Sequence, residues 1–348
     1  PMATPFKAEV GSLLDYFQPF YPARGIPMPV SFVQQLERAA TSAAPRRFVM
    51  LGDRFNDDLY FALYDAFRAR PTKGYADQLA LLRSVAASRA GEPHAEKLVD
   101  AWLALHRAEQ DIALLDMGGT IFYLGAVHQR WLTRPFVPFP EELKPEEKAY
   151  YRRYQFQATT EERAANLHEL QGARNFSGRG GQLLGGRLLD RMLRNVENAR
   201  RDFRAVPWQG EAKAAHDLLG DRLRVFECLI RNCRNAIDYQ HQLDLAKEWQ
   251  VQRPFEVGGL KTIPEWLSIR KTARAEIDNT NLLLELIESG KPDLIHLAAT
   301  AAETDIRILD HALADSLRRK VKIMIAHWED YERLFTTYGD EQRNRPAR

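Results

Sequence analysis

Residues 210–249, GEAKAAHDLLGDRLRVFECLIRNCRNAIDYQHQLDLAKEW, carry Leu219, Leu223, Phe226, Ile230, Cys233 and Ile237 at steps of three and four residues. That spacing returns to one face of an α-helix and is incompatible with the alternation of a half-buried strand. A helix of this length extends about 60 Å. Its apolar stripe needs partners of similar length, because a lone helix in water leaves that stripe exposed.

Two further stretches supply such partners. Residues 262–289 open with Thr262 and Glu265 at capping-box spacing and end before Gly290. Residues 292–336 open with Pro292-Asp293 and carry Leu313, Leu317, Met324, Trp328, Tyr331 and Phe335 as another stripe, which predicts a long final helix. Upstream, helical patterns cover about 30–43, 53–69, 74–90 and 93–117, divided by Pro45, by Pro71 to Gly74 and by Gly91 to Pro93. Periodicity resumes from Ile121 to Trp131, from Lys144-Pro145 to about Gln171, and from Arg187 to Arg204. Only Arg47 to Leu51 is ambiguous between helix and strand. The fold class expected is all-α, a multi-helix bundle with long antiparallel helices in its C-terminal half. The expected order is an irregular N-terminal arm (1–30) rich in proline and aromatics, a helical subdomain (31–171), a glycine-rich loop (172–186), a long-helix bundle (187–336) and a frayed tail (337–348).

Composition narrows the function classes. The chain has 49 basic and 47 acidic residues in 348, a net charge of +2. So balanced a surface predicts no nucleic-acid partner. No stretch approaches the roughly 18 apolar residues of a membrane span, and no signal peptide opens the sequence. The chain is therefore read as soluble and compatible with the cytoplasm, although the Pro1-Met2 opening reads as a junction or a cut and leaves the compartment open. Cys228 and Cys233, five positions apart on one helix, sit too far around the axis for a disulfide and are expected as free core thiols.

Several constellations bear on chemistry. The glycine-rich segment 172–186 precedes a helix, and Arg174, Arg179 and Arg187 offer it cations for an anion. It lacks the lysine and hydroxyl of a P-loop, so an interhelix loop is the plainer reading. Asp238/His241 and Asp293/His296 are each three residues apart, which on a helix puts a carboxylate and an imidazole on one face for Fe or Mn. Asp293 also suits the first turn of a helix, where its charge meets the dipole. His241, where an apolar stripe turns polar, is a candidate haem ligand or a hydrogen-bonded histidine at the core edge. Asp305 lies in an alanine stripe and is expected in a buried network or a site. Carrying no cofactor is the first expectation, with haem or Fe/Mn as the alternative.

Residues 129–143 (QRWLTRPFVPFPEEL) and 320–335 (KVKIMIAHWEDYERLF) resemble helical regions of large, uncharacterised bacterial glycoside-hydrolase-like proteins, some with a barrel before the helices. The resemblance covers most of residues 90–336. It implies a helical module associated with carbohydrate processing, acting as scaffold or cleft contributor, with an oligosaccharide or another domain of the same protein as partner. Arg130, Trp131, Arg134 and Trp328 are then candidate ligand residues, the two indoles serving as a stacking platform for a pyranose or as helix anchors. A self-contained haem- or metal-dependent enzyme and a protein-interaction scaffold are the competing readings.

Overall fold

Every regular element among the described residues is a helix, and two isolated β-bridges are the only extended pairings among them. The computed structural model describes residues 20, 22–41, 55–115, 131–153, 178–252, 264–301 and 309–335. The helices are α1 (Pro29–Thr41), α2 (Asp57–Ala69), α3 (Tyr75–Ala90), α4 (Ala95–Leu114), α5 (Pro145–Arg153), α6 (Gly178–Ala205), α7 (Gly210–Gln252), α8 (Pro264–Glu288), α9 (Leu313–Ala326) and α10 (Asp330–Arg333). Short 3₁₀ turns cover Glu92–His94 and Pro140–Glu142. The chain is an all-α bundle.

Local chemistry accounts for the boundaries. Pro29 opens α1, Asp57 and Asp58 meet the N-terminal dipole of α2, and Gly74 and Gly91, both at positive φ, bracket α3. All six stripe residues of α7 are buried, as the spacing predicts.

Two expected elements change. The glycine-rich segment is not a loop from residue 178 onward: Gly178 begins α6. A Cβ on Gly186 would press on the Arg234 guanidinium, 3.0 Å from Cζ. Glycine here permits close approach of two helices, and that packing offsets its poor helix propensity. The second change concerns 292–336, where residues 292–300 are turn, bend and bridge and α9 begins at Leu313. Gly290 and Asp293 are at positive φ, Ile295 bridges Ala23, and Leu297 bridges Leu309. Asp293 therefore sits in a turn and not in a first helical turn, and Asp293 and His296 share no helical face. The terminal stripe is broken again at residues 327–329, between α9 and α10. Arg47 to Leu51, Ile121 to Arg130, 154–171, Asp305, most of the N-terminal arm and the C-terminal tail lie outside the described residues.

The chain divides into two compact units, each drawn from three separate stretches. The first comprises Pro1–Tyr123, Arg191–Glu227 and Gly290–His296. Here α1 packs on α2, α3 and α4, and α3 packs along α4. Leu63, Val85, Leu98, Trp102 and Leu105 are buried, and Phe20 lies 4.4 Å from Phe226 between ring centroids. Buried Asp111 accepts from Arg191 Nε at 2.7 Å, and buried Glu227 accepts from Arg200 Nε at 2.6 Å. Such pairs compensate charges that burial alone would penalise.

The second unit comprises Leu124–Asp190, Cys228–Ser289 and Leu297–Arg348, with α8 packed on α9 and α10. Val137, Leu143, Tyr150 and Ile323 form an apolar cluster, and Tyr150 Oη lies 2.7 Å from Thr133 O and 2.8 Å from Ser316 O. Cys228 and Cys233 are free and buried, as expected, and burial pushes the Cys233 thiol well above its ordinary pKa.

Candidate functional site

The sequence-derived candidates do not gather into a site. Trp131 has 0% of its surface exposed, so its ring face is closed to any sugar, and Arg134 is buried beside it in the chain. This overturns the expectation of an indole platform: the backbone at residues 131 and 132 faces inward, with Trp131 O accepting from Asn232 at 3.0 Å and Leu132 O accepting from Lys320 at 2.8 Å. Trp328 is half-buried, with the guanidinium groups of Arg270 and Arg274 at 4.8 and 4.9 Å from its ring. Two cations i and i+4 on α8 thus occupy the indole electrostatically, which anchors the turn between α9 and α10. Arg130 lies outside the described residues, as does the side chain of Arg179, whose backbone falls in the first turn of α6.

Two of the metal and haem candidates, Asp238 and Asp293, are engaged elsewhere. Asp238 pairs with Arg234 and accepts from Gln182, while half-buried His241 lies one turn on. Asp293 pairs with Arg24 at 3.1 Å, and the backbone N–H of His296 donates to Pro22 O at 2.9 Å. Asp238 and His241 belong to the second unit, Asp293 and His296 to the first. Among the described residues no group of three or more His, Cys, Asp and Glu side chains is arranged to hold a metal ion.

A groove that the sequence did not single out lies in the first unit. It has a volume of about 370 Å³ and is lined by Gln34, Glu37, Arg38 and Thr41 of α1 with Tyr75 and Gln78 of α3. Ligand clefts run from roughly 300 to 1,000 Å³. On α1, Val30, Val33 and Leu36 turn to the core, which leaves Gln34, Arg38 and Thr41 along the opposite edge. Tyr75, the first residue of α3, keeps 62% of its surface exposed.

Glu37 organises the groove wall. Its Oε1 accepts from the Gly74 N–H at 2.8 Å, and its Oε2 accepts from Thr72 Oγ1 at 2.6 Å and Gln78 Nε2 at 3.0 Å. Gly74 has no side chain to cap α3, so a carboxylate from α1 does it instead. The hydrogen bond from Thr72, followed by those from Gln78 and Gly74, holds the Glu37 carboxyl below the ordinary carboxylate range. A second cleft of about 150 Å³ is lined by Ala66, Arg70, Pro71, Thr72, Asp77 and Leu81 among others.

Behind Gln34 stands a further polar cluster. His106 Nδ1 lies 3.0 Å from Ser31 Oγ and 3.1 Å from Glu109 Oε2, and Ser31 also donates to Glu109. His106 Nε2 faces the amide nitrogens of Gln34 at 3.4 Å and Gln110 at 3.2 Å. Amide donors at Nε2 make that nitrogen the acceptor, so Nδ1 carries the proton toward Glu109. Serine, histidine and carboxylate are all present, yet serine and carboxylate share one ring nitrogen. A nucleophilic triad needs them on opposite nitrogens, so this cluster positions Gln34 and does not activate Ser31.

The groove can therefore bind and orient a polar ligand; it holds no assembled nucleophile. The residues that form it come from positions 34 to 78, and no local spacing marks them in the sequence. Compared with known protein families, curated proteins and solved structures, the chain matches none.

Proposed function

We propose that the chain is a helical carbohydrate-binding module, with the saccharide in the groove between α1 and α3 of the first unit. One observation carries this reading: the exposed Tyr75 ring stands beside carboxamides whose positions are set from behind, Gln78 by Glu37 and Gln34 by His106. An aromatic face takes the C–H face of a pyranose, and pre-positioned amides meet its hydroxyls without a large ordering cost. The resemblance of residues 129–143 and 320–335 to helical regions of glycoside-hydrolase-like proteins supports the same class. In this reading the chemistry on the sugar belongs to another domain of a larger protein, and this chain retains the substrate.

The test is a glycan array probed with the whole chain, followed by calorimetry on the hits. Binding of an oligosaccharide that weakens about tenfold or more in Tyr75→Ala supports the assignment. No saccharide binding, or binding indifferent to Tyr75→Ala in a variant with unchanged circular dichroism, overturns it.

A further inference from the structure

The groove's arginine goes further and names the kind of sugar. Resting on the carbohydrate reading above, we infer that the groove selects acidic saccharides, with the uronate carboxylate on Arg38. Each of the two carboxamides turns one N–H inward. Gln78 Nε2 donates to Glu37, and Gln34 Nε2 is directed at His106 Nε2. Each amide keeps its carbonyl oxygen and its second N–H, so a sugar hydroxyl can be met as donor or as acceptor. Glu37 lines the groove as well, but both of its oxygens are already engaged by Thr72, Gly74 and Gln78.

Glu37 keeps its negative charge, but its oxygens are held by those three donors, and Arg38 is the charged group of the groove wall without such partners among the described residues. Arg38 is exposed on the groove edge and makes no ion pair with any described residue; Thr41, one turn on, bonds its backbone carbonyl and leaves the guanidinium untouched. A guanidinium carries five donors and no acceptor, in a planar fork that fits a carboxylate through two parallel hydrogen bonds. Hydroxyls toward Gln34 and Gln78, an anionic carboxylate toward Arg38 and a ring face toward Tyr75 together describe a uronic acid residue. A neutral hexose satisfies the amides and the tyrosine and leaves the arginine with water.

The experiment is calorimetric titration of the whole chain with a short oligogalacturonide and with the same oligosaccharide after carboxyl reduction to the neutral sugar. The acidic form is expected to bind about tenfold tighter or more, with a preference that shrinks as salt is raised. Arg38→Gln is expected to erase that preference while leaving the neutral sugar's affinity in place, and Tyr75→Ala to weaken both. Arg38 is exposed, and an unchanged melting temperature in Arg38→Gln confirms that the fold is intact. Equal binding of the two forms, or a preference that survives Arg38→Gln, overturns the acidic assignment and leaves the carbohydrate reading standing. Failure of both forms, together with a blank glycan array, overturns the two together.

Discussion

Lys320 of α9 donates to Glu276 of α8 inside the second unit, with the two side chains 0% and 1% exposed. Around this pair Asn232 donates to Glu276 Oε1 at 2.7 Å, Asn235 donates to Oε2 at 2.8 Å, and Lys320 also donates to Leu132 O at 2.8 Å. Helices α7, α8 and α9 and the backbone at Leu132 are tied through one ion pair. Desolvation lowers the Lys320 pKa and the Glu276 charge opposes that shift.

Removing one partner strands the other charge away from water. Lys320→Met is expected to cost about 3–5 kcal/mol of stability, and Lys320→Met with Glu276→Gln to recover part of that loss. Urea denaturation of the single and double variants measures both. A single variant within 1 kcal/mol of wild type, on the order of a surface substitution, would show that the pair is immaterial.

His327 sits between two carboxylates, Nδ1 at 2.6 Å from Asp330 Oδ2 and Nε2 at 3.1 Å from Glu147 Oε2. Burial opposes its charge, but the hydrogen bonds to Asp330 and Glu147 outweigh it and raise the imidazole pKa above the ordinary value. For Glu147 burial likewise raises the pKa, and the contacts with His327 and the Lys144 N–H bring it below the usual carboxylate range. Folding stability from His327 is thus complete below about pH 6.5 and is lost as pH rises through the elevated folded value. The Glu147 contribution is present above the ordinary carboxylate pKa and is lost as pH falls through its depressed folded value. Melting temperature followed across that range is expected to decline on the alkaline side of the histidine titration in wild type. In His327→Gln that decline should flatten.

Gly25 is at φ 63°, its carbonyl accepts from Asn56 Nδ2 at 3.1 Å, and a Cβ there would overlap the Arg222 guanidinium. Arg222 cannot retreat freely, since Nε donates to Asp293 O at 3.1 Å and its guanidinium covers the Phe55 ring at 4.1 Å. Gly25→Ala is expected to destabilise the first unit by at least about 1–2 kcal/mol, from the left-handed backbone alone. Calorimetric melting reads the loss; an unchanged transition refutes it.

Glu37→Gln tests the groove wall. The depressed Glu37 carboxyl contributes stability above the ordinary carboxylate pKa, and that contribution disappears as pH falls through the folded value. The variant is expected to lose about 1–3 kcal/mol near neutrality, to be less sensitive to acid than wild type, and to bind saccharide more weakly as Gln78 is released. Parallel acid titrations followed by circular dichroism decide it. Identical acid limbs in the two proteins count against the assignment.

The all-α class was legible because helical periodicity is local: the stripe of α7 from Leu219 to Ile237 requires one buried face whatever covers it. Free, buried cysteines followed from the same arithmetic. Glycine misled at Gly178 to Gly186, since composition reports backbone freedom and not whether a neighbour such as Arg234 requires a missing Cβ. Proline and aspartate at 292–293 misled in turn, because a helix-start pattern is also the pattern of a tight turn. Tryptophan type alone could not separate the sealed Trp131 from an exposed platform.

Helix content, charge balance and the absence of a cysteine framework were therefore determined by the sequence itself, through propensity and spacing within a few turns. The groove was decided only in three dimensions. Glu37 caps a helix whose N-terminus lies 37 residues away, and Gln34 meets a histidine 72 residues away. Such pairings depend on which helix faces pack together, and that is set by the burial of the whole apolar surface and not by any local run of residues.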